Sequence, residues 1–202
     1  MPKVGTTSFQ FLKVNTNARV AALGGMVSTD MKGSYSLFYN PSNIVNNQKI
    51  DVSVSYLDYF QDVSLNSLSA TYDMQNIGTI GAFVLNNNMG EIEYTTAERV
   101  NMDYETGEFN PGLTGETYTV NSLLVGLSYA RSVTTRFSFG VTAKYAKEDL
   151  WKETASTLMY DGGILYDIDI KSMKIGASLR NFGPEVTFVD KYIGKLLNKI
   201  DM

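Results

Sequence analysis

The sequence predicts an all-β fold, an antiparallel transmembrane β-barrel meander with a short N-terminal plug-like segment. Three observations lead there. From about Lys49 onward, apolar and polar residues alternate with the period of two that a strand imposes on its faces. The segments are joined by short polar turns on one side and mostly longer acidic or Gly-rich connections on the other. That asymmetry belongs to outer-membrane barrels, where short turns face the periplasm and long loops face outside. The chain also holds 13 Tyr, 10 Phe and 17 Gly, and no stretch approaches the ~18 apolar residues that a membrane helix needs.

The clearest segment is Arg136 to Ala146. Phe137, Phe139, Val141, Ala143 and Tyr145 share one face, and Ser138, Gly140, Thr142 and Lys144 share the other. A soluble core strand would bury the first face against protein. The small polar second face, with one lysine, suits a wet lumen, and Tyr145 lies near the end where an aromatic girdle belongs.

In chain order, residues 1–48 do not alternate and read as a plug or periplasmic segment. Within them Arg19 to Leu23 suit a short helical turn ended by the Gly24-Gly25 pair. Asn40-Pro41 suits a second, with Asn as the cap and Pro at the first helical position. Residues 49–185 carry seven strand segments: Lys49 to Leu57, Val63 to Met74, Gly78 to Thr96, Tyr118 to Arg131, Arg136 to Lys147, Ser156 to Asp167 and Met173 to Phe182. Gln75 to Ile77, Ser132 to Thr135 and Ile168 to Ser172 are the short connections; Asp58 to Asp62, Ala97 to Thr117 and Glu148 to Ala155 are the others. Residues 186–202 form a tail whose amphipathic stretch Val189 to Lys199 reads as part of a further strand or a helix.

Composition removes whole classes of function. Asp and Glu number 21 against 17 Lys and Arg, so there is no basic footprint for nucleic acid. Without Cys or His there is no disulfide, no thiolate metal site, no Ser-His-Asp triad and no His-based metalloprotease helix. The acidic pairs Glu91 with Glu93 and Glu148 with Asp149 fall at strand ends, where charge means solvation. The acidic loop Asp103 to Gly112, with a tight turn at Thr106-Gly107, lacks the calcium-loop spacing. No catalytic residue, cofactor or metal is expected.

Face parity places Leu123, Val125, Leu127 and Tyr129 outward, opposite Ser122, Gly126 and Ser128, and sets Ile175, Ala177 and Leu179 against Lys174, Gly176, Ser178 and Arg180. By the same rule Asp73, Lys144, Asp161 and Arg180 face inward, since a Lys or Arg at mid-depth on the lipid face costs ~2–4 kcal/mol. Such charges either select solutes or form an ion-pair network that stiffens the lumen. Arg19 is expected to reach a carboxylate or carbonyl on the inner face; its alternative is a solvated arginine on an exposed turn.

Four ordered blocks resemble the PorV/PorQ family, related to the FadL-type outer-membrane transporters: Gly5 to Lys13 (GTTSFQFLK), Asn17 to Met26 (NARVAALGGM), Ser36 to Ile44 (SLFYNPSNI), and Asp161 to Tyr166 (DGGILY) leading to Ile175 to Pro184 (IGASLRNFGP). Tyr39 stands where Trp is common, and Ser42-Asn43 replaces Ala-Gly. The resemblance implies a barrel of about fourteen strands, so that these seven would be about half of a FadL-like barrel and the chain an N-terminal fragment. It also implies the bacterial outer membrane, with lipid, secreted cargo proteins and other type IX secretion components as partners, and it makes Asn181 of the R-N-F-G block a plug or lumen candidate beside Arg19, Asn40, Pro41 and the four charges. Two functions follow from it: a cargo-binding shuttle in type IX secretion, or a passive transporter of hydrophobic molecules. A soluble β-sandwich binding module is the third alternative.

Overall fold

A computed structural model describes residues 8–25, 29, 31–45, 48–59, 62–102, 109–150, 153–168, 173–184 and 186. The seven strands are β1 Ile50–Asp58, β2 Ser64–Asp73, β3 Thr79–Met102, β4 Phe109–Ser132, β5 Phe137–Leu150, β6 Glu153–Asp167 and β7 Lys174–Phe182. They form one antiparallel sheet in sequence order, each pairing with its neighbours in the chain. Among the described residues β1 and β7 do not pair with each other, so the meander is open. With one sheet and no second layer of strands, the β-sandwich alternative falls.

Period-two alternation sorts the faces. On β5, Ser138, Gly140, Thr142, Lys144, Ala146 and Glu148 are all buried, while Val141, Ala143 and Tyr145 are exposed. The outward apolar side chains have no protein cover: Leu127 is 70% exposed and Val54 77%. Hydrophobic groups left this bare over a whole sheet face require an apolar solvent, and lipid supplies one. Tyr72, Tyr129, Phe137 and Tyr166 stand on this face near the short-turn ends of their strands. The Tyr129 hydroxyl donates to the Ile77 carbonyl at 2.6 Å, the polar anchoring that a girdle tyrosine uses at a membrane boundary.

The other face is covered by the N-terminal residues. These make a 3₁₀ turn at Gln10–Lys13, a helix α1 at Ala18–Ala22, and 3₁₀ turns at Ser34–Phe38 and Pro41–Ile44. The core lies between the two layers, where Phe11, Leu37 and Ile44 pack on Leu65, Phe83, Leu85, Leu124 and Met159. α1 is capped by Asn17, whose side chain accepts from the Arg19 and Val20 amides. It ends as expected at Gly24 and Gly25, both at positive φ.

Two connections differ from the sequence expectation. Ala97 to Thr117 and Glu148 to Ala155 read as loops, yet β3 and β4 run to Met102 and from Phe109, and β5 and β6 run to Leu150 and from Glu153. Residues 97–102 are exposed on both faces, and in 148–155 the inner face stays buried at Glu148 and Ala155 while the outward Asp149 and Thr154 are polar. Alternation then has no apolar face to write on, and the strand signal vanishes while pairing continues. The turn at Thr106-Gly107, the block residues Gly5 to Thr7 and the tail stretch Val189 to Lys199 lie outside the described residues.

The bare face gives a direct expectation. Leu127→Arg, opposite Ala143 in the middle of the sheet, should destabilise the full-length protein in lipid vesicles by ~2–4 kcal/mol in urea titrations, whereas Thr134→Arg in the β4–β5 turn should cost about 0–1 kcal/mol.

Candidate functional site

The site is the contact between the N-terminal segment and the inner face of β5, β6 and β7. Gly140 and Gly163 are directly opposite each other across the β5–β6 ladder and make a notch with no side-chain walls. The Asn40-Pro41 dipeptide drops into it. A Cβ on Gly163 would overlap the Asn40 Oδ1, and one on Gly140 would strike the Pro41 carbonyl carbon. Only glycine permits that approach.

Asn40 is 2% exposed and organises its own turn from inside the notch. Its Oδ1 accepts from the Ser42 amide at 3.0 Å and the Ser42 hydroxyl at 2.7 Å, and its Nδ2 donates to the Ile164 carbonyl at 3.4 Å. Pro41 takes the first position of the 3₁₀ turn, where its missing N–H costs nothing. Cap and sheet contact are thus made by one side chain.

Beside the notch lies a buried charge cluster. Lys144 and Asp161 pair at 2.7 Å with side chains 4% and 1% exposed. The Lys144 Nζ also donates to the Asn181 Oδ1, and the Asn181 amide donates to the Asp161 Oδ1 at 2.7 Å. Asn181 stands at φ 57, in a register shift of the β6–β7 ladder between Tyr160 and Gly162. This left-handed residue aims its amide at the carboxylate, a conformation asparagine tolerates better than most. Next to it Arg180 is exposed; its guanidinium donates to the Phe38 carbonyl at 3.4 Å and lies 5.8 Å from the Tyr39 ring centroid. Between segment and sheet a cavity of about 250 Å³ is lined by Phe38, Tyr39, Phe83, Leu85, Lys144 and Arg180, among others.

The remaining candidates are scattered. Asp73 has inward parity but sits at the β2–β3 turn, where its Oδ1 accepts from the Gln75 amide at 2.9 Å. Arg19 is exposed, and its side chain has no partner among the described residues. The α1 residue that turns inward is Val20, and among the described residues no bond runs from the Arg19 side chain to the inner face. Two anchors escaped sequence reasoning. The buried Glu148 accepts from the Phe9 amide at 2.7 Å, and Asp51 accepts from the Ser34 amide at 2.6 Å. The signal for Glu148 was present: it continues the even-numbered inner face of β5.

The chain matches the family described as Type IX secretion system protein PorV over residues 2–193. The chain belongs to the PorV family. Membership makes it a type IX secretion protein of the outer membrane, a location that the open all-β meander with its bare apolar face fits. It also gives context to the ordered blocks: Asn40-Pro41 in one and Arg180-Asn181 in another meet across the same interface. None of the curated proteins compared matches the chain.

Removing one half of a buried ion pair strands the other. Lys144→Met should therefore cost ~3–5 kcal/mol in denaturant unfolding, and the double variant Lys144→Met with Asp161→Leu should recover most of that loss.

Proposed function

We propose that this PorV-family protein acts in type IX secretion as a cargo-binding shuttle, taking exported proteins from the translocon and passing them to the machinery that attaches them at the surface. One observation supports this over passive transport of hydrophobic molecules: the inner face is covered, and much of it is polar. Ser67, Ser69, Thr71, Ser122, Ser128, Ser138, Thr142 and Thr157 are all buried on the sheet side beneath or beside the N-terminal segment. An apolar solute moving along this face would meet these hydroxyls and a buried ion pair, and the apolar inner side chains Leu65, Phe83, Leu85, Leu124 and Met159 are already packed against Phe11, Leu37 and Ile44 of the N-terminal segment. In this reading the N-terminal segment is a plug, and Asn40, Pro41, Lys144, Asp161, Arg180 and Asn181 hold it in place. Asp73 and Arg19 lie apart from that contact.

The plug reading sets the residue-level expectation. Loss of the Asn40 cap should cost ~0.5–2 kcal/mol, too little to stop barrel insertion, but it removes a side chain that both caps the Pro41 turn and ties it to β6. In the full-length protein expressed in its host, Asn40→Ala should leave heat-modifiable gel mobility normal while exported clients accumulate on the periplasmic side. Uptake of a labelled long-chain fatty acid should be unchanged by deletion of the protein. Normal client export in the deletion, together with lost fatty-acid uptake, would replace the shuttle with the transporter.

A further inference from the structure

β3 and β4 continue where their neighbours stop. β2 follows β3 only to Asn88, opposite Ser64, and β5 follows β4 only to Val120, opposite Leu150. Beyond those points, among the described residues, 91–102 and 109–119 pair only with each other, through register shifts after Asn88, Glu93 and Thr95. The result is a two-stranded ribbon that extends roughly 30 Å past the sheet at about 3.3 Å per residue. It leaves from the end opposite the short β2–β3 and β4–β5 turns, which in this class of barrel is the outer side of the membrane.

An isolated two-stranded ribbon is marginal in water, yet this one is fastened by side chains across its irregular middle. The Arg99 guanidinium donates to the Thr114 carbonyl at 3.0 Å, and the Thr114 hydroxyl to the Tyr94 carbonyl at 2.8 Å. Toward its far end Val100 is opposite Pro111 and Met102 opposite Phe109. With Asn101 paired to Asn110 between them, the four apolar residues share one face. Val100, Met102 and Phe109 are 49%, 52% and 64% exposed.

Charge selects the occupant. The described ribbon carries Glu91, Glu93, Glu98 and Glu116 against Arg99, a net of −3 in a chain whose net charge is −4. An anionic lipid surface repels such a stem, and so does the same ribbon on a second copy. A protein segment that presents apolar anchors flanked by Lys or Arg meets both features, the apolar face supplying area and the acids supplying encounter rate and orientation. We infer that the β3–β4 ribbon is a docking arm outside the membrane that takes a basic segment of an exported client on its Val100, Met102, Phe109 and Pro111 face. This rests on the shuttle reading and names its contact surface.

The test uses the full-length protein in lipid nanodiscs, with one purified type IX client as the probe. Met102→Ser combined with Phe109→Ser should weaken client binding by at least about tenfold. The set Glu91→Gln, Glu93→Gln, Glu98→Gln and Glu116→Gln should slow association and flatten its dependence on salt, because those charges are screened over about 8 Å at physiological ionic strength. Heat-modifiable gel mobility checks that every variant is folded. A photo-crosslinker in place of Met102 should join the client. Wild-type affinity in both variants, or crosslinks only to lipid, to a second copy or to another secretion component, would overturn the arm and leave the shuttle standing. No client binding by the unaltered protein would sink both.

Discussion

The arrangement depends on the absence of two β-carbons. Gly140 and Gly163 let a backbone and an amide side chain approach the sheet more closely than any other residue would allow. Because Asn40 both caps its own turn and touches β6, turn geometry and docking position cannot vary independently. The same device recurs at Gly81, where a Cβ would sit 2.9 Å from the Leu37 side chain that the Ser34–Phe38 turn inserts. With one short helix and three 3₁₀ turns among its described residues, the segment has little internal structure to hold it. The sheet must supply the mould, and glycines are how it is cut.

Most of the architecture was legible because a half-lipid, half-polar environment writes a period of two. All seven strands and their order follow from that alternation. The ribbon was not legible for the same reason: beyond Asn88 and Val120 both faces meet water, the acids resemble loop solvation, and only pairing, which single-strand periodicity cannot see, keeps the chain extended. Glu148 shows a different loss. Next to Asp149 it looked like one of two solvated acids, whereas parity puts the two on opposite faces, one buried against Phe9 and the other bonded to Lys147 at 2.6 Å. At the site, Asn40-Pro41 and its capped turn were readable from turn chemistry. Asn181 was identifiable only by resemblance, since nothing in an R-N-F-G string announces a left-handed residue aimed at a carboxylate on the neighbouring strand.

The buried ion pair fits this setting better than it would fit a soluble core. Desolvating a Lys and an Asp costs several kcal/mol per ion, and their attraction alone does not guarantee a return. Here each charge also has a neutral partner, since the Asn181 backbone amide donates to Asp161 and its side-chain Oδ1 accepts from Lys144. A fully bonded cluster fixes the β6–β7 register at its one irregular point, where an apolar cluster would allow slippage. The pair therefore contributes specificity of pairing at the strand that carries Arg180 under the N-terminal segment.

Polar anchors also explain how such a segment stays placed without a large core. Each part of it begins with backbone N–H groups that have no helical partner, and each is met by an acceptor: Glu148 for Phe9, Asn17 for α1, Asp51 for Ser34, Asn40 for Ser42. Two of the four acceptors belong to the sheet and two to the segment itself. The first pair ties the segment to β5 and β1, far apart in the meander; the second keeps its turns formed between those ties. Bridging strands four apart fixes where such an element lies along the face. That arrangement suits a segment that covers one face of the sheet: its placement is set by side-chain chemistry at a few points, and its stability against the sheet by the apolar contacts of Phe11, Leu37 and Ile44 between them.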